Sequence, residues 1–232
     1  MSPKFFQVAI DGPVASGKGT VARLVANRLG MLYVDTGAMY RAVALLAQRH
    51  QLLLTDETAI LELLSHHRIQ LLQPTSDKQD GRLITVLLDD EDISWAIRTE
   101  VVSSGSSQVA VLPKLREEMV RQQRLIAEKQ NVVMEGRDIT YRVLPNAQLK
   151  IFLTASVEKR AERRFLDLQK RGQNISLEAV YNELKERDER DSQRLADPLQ
   201  VVKDAWVLDT SDLTIEQAVE HIAKRAEELR KK

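Results

Sequence analysis

Apolar and polar positions follow two rhythms along this chain. Phe5 to Ile10 is a short β-type run ending at a glycine-rich turn, and Val21, Leu24, Val25 and Leu29 then follow at the i, i+3, i+4, i+8 spacing of one helix face. Gly30 is placed to stop that helix, Leu32 to Val34 form a second short strand, and Met39, Val43 and Leu46 stripe the next helix. Strand, helix, strand in succession predicts a parallel sheet. The rhythm then breaks. Arg68 to Leu72 and Arg82 to Leu88 are strand-like runs separated by the polar stretch Pro74 to Gly81, with Asp89-Asp90 as a turn, so a small antiparallel insertion is expected. The first rhythm resumes with a helix opened by Pro113, followed by strands at Asn131 to Glu135, Leu149 to Leu153 and Ala205 to Leu208 with helices between them. Thr214 and Gln217 form a capping box ahead of a last helix carrying Ile215, Val219, Ile222 and Ala226 on one face. The pattern predicts an α/β fold: a five-stranded parallel sheet with helices on both faces, built from residues 1–64 and 113–232, a small α+β insertion over 65–112, and a short helical lid over about 155–172.

At 232 residues the chain is long enough for one core domain with appendages, and 43% apolar residues exclude a disordered chain. Thirty-four basic residues balance thirty-four acidic ones, which argues against a general nucleic-acid binder, although local arginine clusters remain able to grip a small phosphate ligand. The absence of cysteine removes disulfides, thiolate metal sites and cysteine nucleophiles. His50, His66, His67 and His221 show no metal-ligand spacing with carboxylates and read as surface or packing residues. The segment from Met1 is interrupted by Asp11, Gly12 and Pro13 too early for a signal sequence, and no apolar run approaches membrane-spanning length, so a cytoplasmic protein is expected.

The turn after the first strand carries the chemistry. Gly12, Pro13, Val14, Ala15, Ser16, Gly17, Lys18, Gly19 and Thr20 lie between a strand and a helix, where backbone N–H groups converge on phosphate oxygens if glycines allow close approach. Lys18 adds a cation for the transferred phosphate, the helix N-terminus adds its partial positive charge, and Thr20 offers a hydroxyl to the phosphate and magnesium region. The Gly-Lys-Gly-Thr spacing, with Gly19 between lysine and hydroxyl, looks like that of the nucleoside monophosphate kinases.

Asp35-Thr36-Gly37-Ala38-Met39-Tyr40-Arg41 follows the second strand, so it falls at the carboxyl edge of the sheet beside the phosphate loop, where a second ligand can dock. With EDISWAIRT at Glu91 to Thr99, SQVAVLPKLR at Ser107 to Arg116, EGRD at Glu135 to Asp138 and ERDERDSQR at Glu186 to Arg194, the chain resembles the bacterial cytidylate kinases along essentially its whole length. The resemblance implies a P-loop kinase core with a nucleotide-binding insertion, transferring the γ-phosphoryl of ATP to CMP or dCMP with magnesium. It implies that Arg41, Arg137 and Arg194 clamp the acceptor phosphate, that Thr36 and Asp191 contact its sugar with Arg187 nearby, and that Ser107, Arg116 and Asp138 read cytosine. Lys18, Arg137 and Arg194 are then the catalytic cations, and a monomer is expected.

Cytosine presents an amine where uracil presents an oxygen, so a carboxylate at Asp138 would accept a bond from one and face a lone pair on the other. Sites of this kind discriminate by on the order of 10⁴. The plain alternative is a structural ion pair between Asp138 and Arg137. Val180, Leu184, Arg187, Asp191 and Arg194 continue one helix face from apolar to charged, which suggests entry into a cleft. Arg160, Arg163 and Arg164 cluster on the preceding helix, and Arg160 and Arg164 are the lid candidates for the ATP phosphates. The family form is not matched everywhere. Glu135 stands where Asp is usual, Ala15 replaces the loop's middle glycine, and Thr140-Tyr141, followed by Arg142, replace a smaller pair. The rival readings are a monophosphate kinase for another base and a nucleotide-dependent switch or nucleic-acid-linked ATPase. The second of these calls for a basic tract, which the chain lacks.

Overall fold

The computed structural model describes residues 3–78, 80–170 and 172–231, so Met1, Gln79 and Arg171, within the segments expected as chain start, polar stretch and lid, lie outside the described residues. The core alternates as its apolar pattern requires: β1 (Gln7–Asp11), α1 (Lys18–Leu29), β2 (Leu32–Asp35) and α2 (Thr36–Arg49). An extra helix follows, α3 (Glu57–Ser65), its first turn capped by Asp56, which accepts from the Ala59 N–H at 3.0 Å. The insertion is β3 (Ile69–Leu72), β4 (Thr85–Leu88) and β5 (Glu91–Asp92), paired antiparallel in that order. Asp89 turns β4 into β5 with a φ of 55°. Then come α4 (Glu100–Val109), α5 (Pro113–Ala127), β6 (Val132–Gly136), a π-helical turn at Ile139–Val143, β7 (Leu149–Thr154), α6 (Val157–Lys170), α7 (Leu177–Gln193), β8 (Trp206–Asp209) and α8 (Ile215–Arg230).

The main sheet has five strands in the order β2-β6-β1-β7-β8, and every pairing is parallel. β1 is buried along its whole length, as a central strand covered on both faces must be. The chain runs outward from β1 to one edge and returns to the other, so the crevice at the carboxyl end of β1 is the topological switch point. Gly30 stops α1 in the left-handed conformation, and the Thr214–Gln217 capping box starts α8 with both reciprocal bonds formed. Among the described residues no helix is long and apolar enough to cross a membrane.

Two apolar clusters divide the molecule. The large one unites the sheet, its flanking helices and the insertion. A small one, Ala161, Leu168, Val180 and Leu184, joins only α6 and α7, and Val14 and Ala15 of the phosphate loop pack against it.

Asp11 ends β1 and is fully buried. Its carboxylate accepts from the Ile139 N–H at 2.9 Å, the Thr140 N–H at 2.8 Å and the Thr140 hydroxyl at 2.6 Å. Burial pushes its pKa up to about 6, and the bonds from Thr140 and Ile139 oppose that rise. These three bonds fix the π-helical turn and so aim the Gly136-Arg137-Asp138 segment ahead of it. Asp11→Asn puts an amide nitrogen against one of those donors and leaves a buried group unsatisfied, which costs about 1–3 kcal/mol. Urea unfolding is expected to report a loss of that size, and a change below ~0.5 kcal/mol would discount the anchor.

Candidate active site

The phosphate loop is shaped by sterics before any ligand arrives. A Cβ on Gly12 would lie 2.0 Å from the Leu153 carbonyl oxygen of β7, so only glycine allows the loop to leave β1 at that point. Gly17 adopts φ 85° as the residue before α1, which begins at Lys18. Ala15, where the family form has glycine, also takes a positive φ of 58°, a conformation that costs an alanine roughly 1–2 kcal/mol. Its packing against the α6–α7 cluster offsets part of that strain.

Above the loop opens a cleft of about 1130 Å³. The sequence nominees Val14, Ala15, Ser16, Gly17, Lys18, Gly19 and Thr20 line one part of it, with Arg164 of α6. Thr36, Arg41, Ser107, Arg116, Arg137, Asp138, Arg187, Asp191 and Arg194 line another. These come from α2, α4, α5, the end of β6, and α7 with its C-cap Arg194, so five stretches distant in sequence meet at one sheet edge. Gly12 and Pro13 stand behind the wall, each with its backbone in the loop.

The cations of the cleft are held by carboxylates on neighbouring elements. Arg41 Nη2 lies 2.8 Å from Asp35 Oδ2, while Asp35 Oδ1 caps α2 by accepting from the Ala38 N–H at 2.9 Å. Arg137 Nε donates to Asp191 Oδ2 at 2.7 Å. Arg116, nearly inaccessible, donates through Nη2 to Asp138 Oδ2, through Nη1 to the Ala110 carbonyl at 2.8 Å and through Nε to Asp197 Oδ2 at 3.0 Å. Its guanidinium also sits 5.6 Å from the centre of the Tyr40 ring. Arg194 Nη2 is 3.8 Å from Asp138 Oδ1. The ion pair of Asp138 is therefore with Arg116 and Arg194; the alternative pairing with Arg137 does not form, because Arg137 turns toward α7.

Arg160 corrects a second expectation. It is 3% exposed, and its guanidinium donates to the Ala155 carbonyl and to the Val14 carbonyl, both at 3.0 Å, and pairs with Asp188 Oδ2 at 2.6 Å. It braces the back of the phosphate loop instead of reaching into the cleft. Helical spacing placed it on the right helix but could not give its depth. Arg163, next to Arg164, lines the cleft while donating to the Thr210 carbonyl at 2.6 Å. Thr36 donates its hydroxyl to the Glu135 carbonyl at 2.7 Å, leaving its oxygen free to accept.

Residues that the sequence did not nominate complete the site. Asp35, Glu135 and Tyr40 line the cleft, and Asp197 stands behind Arg116. Asp35 carried a usable signal, a carboxylate one residue before a helix three positions ahead of its bonded N–H. Glu135 is buried with Asp35 near it, and both burial and that charge push its pKa up.

The cleft holds more guanidinium donors than its own carboxylates and carbonyls satisfy. Buried Nε groups of Arg41 and Arg187 have no hydrogen-bond partner among the described residues. Burial first, and the charge of Arg137 second, pull the Arg187 guanidinium below its usual range; for Arg194 the order is burial, then Arg116. Lys18 Nζ rests on the Pro13 carbonyl at 2.8 Å, a neutral partner, and burial with the nearby Arg137 charge lowers its pKa to about 7. Unsatisfied buried donors of this kind call for a polyanion.

A glycine-shaped cradle at the switch point of a parallel sheet, with a second arginine-rich anion site in the same cleft, defines a P-loop phosphotransferase with two phosphate ligands. The chain belongs to the cytidylate kinase family, whose model matches residues 8–228. It is 45% identical over 215 residues to a cytidylate kinase of Pseudomonas fluorescens, covering 93% of this chain and 92% of the relative. It is 47% identical over 225 residues to a cytidylate kinase of Lysinibacillus sphaericus, covering 97% and 98% respectively. A cytidylate kinase of Lactobacillus gasseri matches at 45% over 218 residues, 94% of this chain and 92% of its own length.

The state of Lys18 yields a measurable consequence. A polyphosphate against Nζ favours the charged form, so binding takes up a proton wherever the pH exceeds the free-enzyme value of about 7. Calorimetric titration with ATP at pH 8, in buffers of different ionisation enthalpy, should report uptake approaching one proton, abolished in Lys18→Met. Buffer-independent heats would contradict this role.

Proposed function

We propose that this chain transfers the γ-phosphoryl group of ATP to CMP or dCMP, giving ADP and the nucleoside diphosphate. The observation that carries this reading is the joining, within one cleft, of the phosphate cradle to a second anion site backed by the Arg116–Asp138 pair. ATP would lay its phosphates in the cradle, with Lys18 and the N–H groups opening α1 against them. The acceptor monophosphate would meet Arg41, Arg137 and Arg194, which line the cleft, with Arg187 adding charge. Thr36 and Asp191, in the same cleft wall, would contact the sugar. Arg164 would reach the donor phosphates from the lid side.

The nucleophile is an oxygen that is already anionic, so no strong general base is needed. What the reaction does need is suppression of repulsion between two polyanions, alignment in line, and exclusion of water. Lys18 and Arg137 line the cleft close enough to feel each other's charge and would neutralise the charge that the substrates share as the phosphoryl group moves. Loss of one such group costs on the order of 10²–10³ in turnover.

Magnesium fits this cleft as a partner of the nucleotide. Thr20 and Glu135 supply hard oxygen donors there, and among the described residues no cluster of three or more His, Asp or Glu gathers to cage a metal without phosphate oxygens. When bound with ATP, the ion supplies positive charge to the polyphosphate.

Base selection would fall to Asp138. Its Oδ2 is committed to Arg116, and Oδ1 is 3.8 Å from Arg194, so a lone pair remains for an exocyclic amine. A coupled ADP-release assay across CMP, dCMP, UMP and AMP is expected to show CMP and dCMP as the efficient acceptors. Asp138→Ala should lower the CMP to UMP ratio of kcat/KM by at least about tenfold. An unchanged ratio would remove Asp138 from base reading, and AMP as the best acceptor would overturn the substrate assignment.

A further inference from the structure

Asp197 is a constrained residue that does not itself line the cleft. It follows α7 in the segment 194–200, adopts φ 48°, and precedes Pro198. A left-handed conformation is unfavourable for a residue with a Cβ, and the proline ring restricts it further. Such strain persists only where surrounding contacts over-determine it, and here those contacts can be named. Asp197 Oδ2 accepts from Arg116 Nε at 3.0 Å, and Oδ1 lies 3.3 Å from Arg142 Nε. Its carbonyl accepts from Arg194 Nε at 2.8 Å and also from Arg194 Nη2. One strained residue thus holds the guanidinium proposed to stand under the base and the one proposed on the acceptor phosphate.

The partner surface is the π-helical turn that carries Tyr141 and Arg142. Tyr141 donates its hydroxyl to the Pro198 carbonyl at 2.6 Å, and Arg142 faces Asp197. Both belong to the π-helical turn that Asp11 fixes. On its other side the segment is tied to α7 by the Leu199 N–H on the Asp191 carbonyl at 2.8 Å. The larger side chains at 141 and 142 therefore close a latch between the core and the segment ending α7.

We propose that Asp197 is a positioning residue for cytosine selection, locking the plane of Arg116 so that Asp138 keeps a free oxygen for the base. The donor count explains why. A guanidinium has five N–H groups, and Arg116 places three of them on Asp197, Ala110 and Asp138, leaving one on each terminal nitrogen. Without Asp197, Nε is a buried donor that has lost its acceptor, and among the described residues the only other carboxylate paired with this guanidinium is Asp138. Arg116 then turns to grip both Asp138 oxygens, consuming the lone pair that distinguishes an amine from a carbonyl. Arg142, 41% exposed at its side chain, faces the other oxygen of the Asp197 carboxylate as an ion pair without a hydrogen bond.

The proposal rests on Arg116 and Asp138 forming the base site, so the test includes a variant that reports on that reading alone. Asp197→Gly removes the carboxylate while suiting the positive φ, so the backbone of the latch is retained or eased. In Asp197→Gly, KM for CMP is expected to rise about tenfold and the CMP to UMP ratio of kcat/KM to fall by a similar factor, with KM for ATP within about twofold of wild type; these are the sizes typical of a lost buried charge-assisted bond. Asp197→Asn, which keeps one acceptor oxygen and tolerates the same φ, should recover part of the ratio and serves if the glycine variant is poorly folded. Arg116→Lys keeps the charge but loses the fork. If Arg116→Lys lowers the ratio and neither Asp197 variant does, the positioning role is overturned while the base site stands. If none of the three changes the ratio, the base-site reading fails and the proposal with it. Equal losses for CMP, UMP and ATP in the Asp197 variants, tracking a lowered melting temperature, would reduce Asp197 to a stabilising contact and also overturn it.

Discussion

A buried cation keeps its charge only when an anion faces it, and the carboxyl edge of this sheet is organised around that requirement. Arg41 with Asp35, Arg116 with Asp138 and Asp197, Arg137 with Asp191, and Arg160 with Asp188 are all ion pairs with at least one largely buried member. Pairs of this kind roughly break even against their desolvation, so they do not account for the stability of the fold. Their effect is on geometry. Each fixes the direction of a guanidinium plane, and all but Arg41–Asp35 join residues more than 20 positions apart, which ties α5, α6, α7 and the end of β6 to one another across the cleft. The cleft is thereby arranged for two anionic ligands at little stability gain, and the donors left over on Arg41 and Arg187 are those a ligand can satisfy.

The same logic explains why α6 and α7 are held differently from the rest. Their shared apolar cluster is separate from the main core, and Val14 and Ala15 of the phosphate loop pack against it. Arg160 adds a polar tie between the Val14 carbonyl and Asp188 of α7. A unit with a small core of its own and polar ties to the body belongs to the low-stability end of the structure, the end from which moving elements are drawn. Because its ties run through the backbone of the phosphate loop, the position of α7, and with it Arg187 and Asp191, is coupled to the loop that cradles the donor. The strained φ of Ala15 belongs to that coupling, since its methyl is what the α6–α7 cluster packs against.

Much of this was legible in the sequence because it depends on local spacing. The strand-turn-helix of the phosphate loop, the alternation that gives a parallel sheet, the polar break of the insertion and the capping box of α8 are written within a few residues of where they act. What the sequence did not show is set by depth and by long-range partners. Arg160 and Arg164 share a helix and a composition, yet one is sealed behind the phosphate loop and the other lines the cleft. Asp138 sits beside Arg137 in sequence, but its partner is Arg116, 22 residues away. The two-residue strand β5 and the π-helical turn carry no periodicity to detect, since one is shorter than a repeat and the other depends on Asp11, 128 residues from Ile139. Asp197 gave no signal because its importance lies in a backbone conformation and in three arginines that only the folded chain brings together.

The departures at Tyr141 and Arg142 acquire a physical meaning from this arrangement. Arg194 ends α7 as its C-cap, and beyond that point the chain has no periodic structure until β8, so its guanidinium is directed by the Asp197 carbonyl three residues on, in a segment that must itself be held in place. A free-swinging arginine contributes charge but not direction, and in-line transfer between two phosphates needs both. Docking the 194–200 segment onto the π-helical turn supplies direction by linking it to Asp11 at the end of β1, the strand that also launches the phosphate loop. The phosphate loop and Arg194 are thus referred to the same central strand, and the separation of the two parts of the cleft is tied to a fully buried element of the sheet.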